Sequence, residues 1–148
     1  MDWIEVKDNK DIKNLLNIFG RFHDSCIKEL YMWNESYVDG NLTMGMSPEL
    51  PNVRILFQRQ YRDPSAIELL FEGVTQFHIV PGQNYDTVIL RANLILHEGL
   101  FYWTDDVNFE PEDYTLGINN WISTKSLKWR DASSWMGKQN RYGVIKEG

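Results

Sequence analysis

The residue types best suited to covalent chemistry stand together in Phe22-His23-Asp24-Ser25-Cys26. A cysteine nucleophile needs a thiolate and a neighbouring base. A histidine three residues upstream on an irregular segment can reach such a thiol. One reading is therefore a small thiol-dependent hydrolase using Cys26 and His23. The competing reading is structural. Phe22 and Ile27 anchor the start of a strand, His23 and Asp24 bind backbone groups at a helix-to-strand junction, and Cys26 is a small buried residue. Adjacency in sequence is not triad geometry, so the structural reading is preferred and no catalytic residue is assigned.

A metal centre would need three or four ligands. His23, Asp24, His78, His97, Asp105 and Asp106 are the candidates, and none falls in a ligand spacing such as His-x-x-x-His or Cys-x-x-Cys. There is no glycine-rich phosphate loop. Neither a metal nor another cofactor is expected. Glu68 and Glu72 share a strand face but lie about 13 Å apart along it. That is too far for a retaining glycosidase pair and too wide for most inverting ones, so they read as a solvated face.

Charge is the most informative surface feature. Between Ala92 and Thr124 there is no Lys or Arg, whereas Glu98, Asp105, Asp106, Glu110, Glu112 and Asp113 all fall in that window. Beyond it, Lys125, Lys128, Arg130, Lys138, Arg141 and Lys146 make the C-terminal region basic. Phe101, Tyr102 and Trp103 are consecutive, so a regular strand turns at least one of them outward. Acids follow them directly, which disfavours stacking on nucleic-acid bases. The window reads as an acidic patch, rimmed by Tyr102 and Trp103, that docks a basic protein. The plain alternative is a solvated loop. The acids do not follow the spacing of an EF-hand calcium loop.

The whole chain is consistent with these limits. Its 148 residues suit a single domain, 1–148, with room for a core. A net charge of -6 and a pI of about 5.0 argue against general nucleic-acid binding. The one cysteine excludes an intrachain disulfide. The opening residues, MDWIEVKDNKD, place charges where the apolar part of a signal peptide would be. No apolar run is long enough to span a bilayer. A cytoplasmic protein with neither a membrane nor a nucleic-acid partner is expected.

The elements that must position these residues can be read from periodicity. Asp8 suits an N-cap, and Ile12, Leu15, Leu16 and Phe19 form one helical stripe ended by Gly20, which predicts a helix over 9–19. Asp39-Gly40 marks a tight turn, so 26–37 and 41–47 are expected to pair antiparallel. Residues 53–97 then read as successive strands. Val53, Ile55, Phe57 and Tyr61 share a face, turns follow at Arg62-Asp63-Pro64-Ser65 and Pro81-Gly82-Gln83-Asn84, and Gly73 marks a bulge or bend. Val88, Leu90, Ala92, Leu94 and Leu96 alternate over one long strand, which His97-Glu98-Gly99 turns back. A loop is expected after Asp106, a last strand over 121–129, and a polar tail over 131–148.

The segment Phe22-His23-Asp24-Ser25-Cys26-Ile27-Lys28-Glu29 resembles a junction found in a widespread group of small bacterial proteins. There Phe-His-Asp is followed by Ser or Ala, any residue, and then Ile, Val or Leu, ahead of an antiparallel sheet. Phe71-Glu72-Gly73-Val74 and Leu127-Lys128-Trp129-Arg130 are similar to the same group. Several of its relatives look like immunity proteins that neutralise toxins of bacterial competition systems. The resemblance implies an α+β fold and a non-enzymatic role, and it supplies no catalytic residue.

The expected fold is thus α+β, a twisted antiparallel meander of about six to eight strands with the N-terminal helix packed on one face. The expected function is protein binding of immunity type, through Asp105, Asp106, Glu110, Glu112, Asp113, Tyr102 and Trp103, directed at a basic partner such as a nuclease. Besides the thiol hydrolase, a second alternative is a structural subunit or homodimer formed through an open sheet edge.

Overall fold

Asp8 starts the first helix. In the computed structural model, which describes residues 2–80, 88–112 and 120–143, its side chain accepts a hydrogen bond from the Asp11 amide at 2.9 Å and caps α1, Asn9–Ile18. Ile12, Leu15 and Leu16 are buried, and Phe19 and Phe22 continue that stripe through a 3-10 turn at Gly20–Phe22. Gly20 adopts φ +57, and a Cβ there would lie 2.8 Å from Arg59 Nη1. Both the backbone and the neighbouring guanidinium therefore require glycine.

The strands are β1 Ile4–Val6, β2 Ser25–Trp33, β3 Tyr37–Val38, β4 Met44–Gly45, β5 Asn52–Arg59, β6 Ala66–His78, β7 Val88–Ile89, β8 Asn93–His97, β9 Leu100–Thr104 and β10 Trp121–Asp131. Eight of them form one antiparallel sheet in the order β7-β2-β5-β6-β10-β9-β8, with β1 added to β10. The order amounts to two meanders, β2-β5-β6 and β8-β9-β10, joined by the long β6–β10 ladder. The helix packs on the inner face, and the fold is α+β as expected. Trp103 is fully buried at the centre, with its ring 5.5 Å from Phe57 and 6.2 Å from Phe22. Gly73 takes φ +74 and bends β6 without ending it, as its position in the pattern predicts.

Four expectations need correction. First, 26–37 does not pair with 41–47. β2 pairs with β5 over its full length, while Tyr37 and Val38 pair with Gly45 and Met44 as a separate small hairpin. The chain breaks after Trp33, where the Asn34 side chain accepts from the Ser36 amide and turns the backbone. β5 offers β2 a longer ladder whose Val53, Ile55 and Phe57 are fully buried.

Second, the strand expected over Val88 to Leu96 is split. β7 pairs with β2 and β8 with β9, so the chain changes partner between them. There the Ala92 amide bonds to the Arg21 carbonyl, carrying the backbone across the 3-10 turn. Third, 132–142 is no loose tail but a strap across the outer face of the sheet. Gln58 Nε2 donates to the carbonyls of Trp135 and Gly137, and the amides of Arg141 and Tyr142 donate to Glu29. Leu56, Ala66 and Ala132 form a second small core beneath it, against Trp135 and Tyr142. Tyr61 also leaves its expected face, because β5 ends at Arg59 and the ring lies exposed in the following turn. The turn expected at 81–84 lies outside the described residues.

Candidate protein-binding surface

At the helix-to-strand junction both ring nitrogens of His23 face groups other than the thiol. Its Nδ1 donates to the Leu90 carbonyl at 2.7 Å, and its Nε2 lies 3.3 Å from Asp24 Oδ2. The carbonyl can only accept, so Nδ1 carries a proton, and Nε2 faces Asp24. Ser25 Oγ donates to the Phe22 carbonyl, and Cys26 sits half-buried in the β2 ladder between Gln58 and Val88. These contacts serve the junction and do not assemble a Cys–His pair.

The acidic window is divided by the fold. Trp103 is buried in the core, so it does not line a docking surface as the sequence suggests. Its alternation with Tyr102 in β9 decides this, because the inner face of the sheet receives Phe101 and Trp103. Tyr102 lies on the outer face, half-buried against Phe109 and Trp121 at ring distances of 6.0 and 6.2 Å. Asp105 is structural. Its two oxygens accept from the Asn120 amide (3.2 Å) and from Asn120 Nδ2 (2.8 Å), closing the base of the loop. Burial raises its pKa above the usual carboxylate value, against the lowering effect of those hydrogen bonds. Asp106 accepts from the Asn108 amide and caps the next turn. Glu110 and Glu112 are exposed. Asp113 lies outside the described residues.

The loop returns along the sheet, and this convergence was not legible in the sequence. Glu112 Oε1 comes within 3.4 Å of His97 Nε2, and Glu98 Oε1 within 3.8 Å of the same atom. The two carboxylates, 80% and 77% exposed, therefore flank one imidazole. Their ligand atoms all lie within 4.8 Å of one another, and among the described residues this group is spaced to hold a cation. The expectation of no metal ligand set rested on spacing along the chain, which the returning loop bypasses.

Glu68 overturns its solvated reading. It is fully buried beneath the strap, where Arg54 Nη2 (2.7 Å), Arg130 Nε (2.6 Å) and the Tyr142 hydroxyl all donate to it. Glu72, four residues along the same face, pairs with Lys128 at 2.9 Å and stays partly exposed. Burial and the Glu68 carboxylate keep the Tyr142 phenol protonated well above its usual pKa. Arg59 plays a similar structural role at the other end of β5. Its guanidinium donates to the carbonyls of Pro64 and Ile18, tying the β5–β6 turn to the end of α1.

The feature that sequence reasoning missed most is the exposure of the β3–β4 hairpin. The segment 31–50 carries half of the exposed large apolar side chains among the described residues. Leu42 is 86% exposed, Met46 84% and Tyr37 64%. The hairpin belongs to no other sheet.

No family model, curated protein or solved structure matches the chain.

Proposed function

We propose that the chain is a non-enzymatic, cytoplasmic binding protein of immunity type, which inhibits a basic partner by occluding it. The observation that carries this reading is the convergence of Glu98 and Glu112 at the β8–β9 turn, with Glu110 on the same loop. Acids spread along the chain become one local field, with no Lys or Arg between Arg91 and Lys125 to offset it. Such a field raises the association rate of a cationic protein and penalises acidic competitors. A nuclease, whose own surface must attract phosphate, is a suitable partner class. The sequence resemblance to immunity proteins points the same way. Among the described residues no helix is long and apolar enough to cross a membrane.

The test is capture of a host partner by tagged protein, compared with a variant carrying Glu98→Lys, Glu110→Lys and Glu112→Lys. All three side chains are exposed, so the variant keeps its fold. A cationic protein retained by the parent and lost by the variant supports the reading. Equal retention refutes it.

A further inference from the structure

The hairpin arm, 34–50, is costly to the folded chain alone. Leu42 adopts φ +66 at its tip, a left-handed conformation that a leucine takes only at a cost, and it does so while pointing its side chain into water. Met44 and Met46 follow it, and Val38 and Tyr37 stand on the paired strand, all exposed. The arm is nonetheless ordered. Asp39 Oδ1 accepts from the amides of Asn41 and Thr43, and the Tyr37 ring lies over Gly45, where a Cβ would meet it at 2.5 Å. An ordered apolar surface of this kind marks a contact site, and methionine lets such a surface adapt to its occupant.

Charge chooses the occupant. No Lys or Arg lies between Lys28 and Arg54, whereas Glu35, Asp39 and Glu49 all stand exposed on the arm. A second copy docked arm to arm would set acid against acid. An anionic membrane would be repelled for the same reason. We propose that the arm is a docking surface for a cationic amphipathic helix of a partner protein, whose apolar face meets Leu42, Met44 and Met46 and whose Lys and Arg meet the three carboxylates. The inference rests on the binding reading above for the sign of the partner's charge, but on different residues.

The probe is a synthetic 18-residue Leu/Lys amphipathic helix, titrated into the full chain labelled at its methionine methyls. The chain has five methionines; Met44 and Met46 belong to the arm, whereas Met32 lies in β2 and Met136 in the strap. The Met44 and Met46 methyls should shift and Met136 should stay. Leu42→Asp and Met46→Asp, both at exposed positions, should each weaken binding at least tenfold. Three results overturn the proposal. A Leu/Glu peptide of the same pattern could shift the methyls equally, or anionic phosphatidylglycerol vesicles could shift them in its place. Concentration alone could also shift them, with a dimer seen by light scattering. A peptide that binds the Glu98→Lys, Glu112→Lys variant as well as the parent locates the site on the arm alone. The arm proposal then stands even where the acidic-turn reading fails.

Discussion

Replacing Glu68 by Gln should destabilise the fold more than its place on the outer face of a sheet suggests. The substitution keeps the shape and removes one negative charge, leaving Arg54 and Arg130 facing each other across an amide beneath the strap. Breaking a buried ion pair from one side costs about 3–5 kcal/mol, because the remaining charge stays unpaired. The Arg54 and Arg130 side chains are 28% and 23% exposed and keep some hydration, which places the cost near the lower end, about 3 kcal/mol. For a chain of this length, that lowers Tm by roughly 6–12 °C, at about 2–4 °C per kcal/mol. Glu72→Gln is the internal control. It lies on the same face and pairs with Lys128, but it is partly exposed, so its loss should cost about 0–1 kcal/mol. Urea unfolding of the two variants, followed by tryptophan fluorescence, measures both. Equal, small losses would show that water reaches Glu68 and that the strap does not seal it, and the reasoning would fail.

Three more outcomes follow from the same geometry. Tyr142→Phe should cost about 1.5–3 kcal/mol at neutral pH, the range for hydrogen bonds to a charged group. The folded phenol has a raised pKa, so its contribution is complete below the unfolded value near pH 10 and is lost as pH rises beyond it. The parent should therefore weaken above about pH 10 more steeply than Tyr142→Phe does, in urea midpoints measured across that range. Asp105→Lys should destabilise the chain by breaking the Asn120 clasp, whereas Glu110→Lys should leave Tm within about a degree, as a surface substitution does; thermal melts that show equal effects would make Asp105 a surface acid after all. Gly20→Ala should lower the urea midpoint by the equivalent of about 1–2 kcal/mol for the left-handed backbone alone, and by more once the Cβ displaces Arg59; an unchanged midpoint would show that the turn relaxes freely.

The parts of the fold set by local chemistry were legible in the chain. Asp8 and Gly20 bracket α1, Gly73 bends β6, and the alternation through β5, β6 and β10 gives the inner face. The misreadings share a different cause. Whether 26–37 pairs with 41–47 or with 52–59 depends on which partner completes an apolar face, and both have strand character. The split at Ala92 depends on a bond to Arg21, 71 positions away in sequence. Glu68 reads as solvated until the strap, which looks polar and featureless, is laid over it. Trp103 reads as exposed or buried according to a register that the acids after it do not determine. In each case the deciding contact is long-range, and periodicity carries no information about it.

The strap and the arm are better understood together. Both are excursions from the same sheet, and both are rich in aromatic or apolar side chains. The strap is spent on the chain itself. Trp135 and Tyr142 close over Leu56 and Ala66, Glu29 takes the amides of 141 and 142, and the two arginines share the Glu68 carboxylate and stack on Tyr142, Trp3 and Trp135. The arm makes the opposite use of similar material. Its tip holds Leu42 in a backbone conformation that favours glycine and leaves its side chain 86% exposed, while Asp39 braces the turn. A chain that covers a buried glutamate so completely has the means to cover two methionines and a leucine. That it leaves them in water, on an ordered support and among carboxylates alone, is the physical case that their partner lies outside the chain.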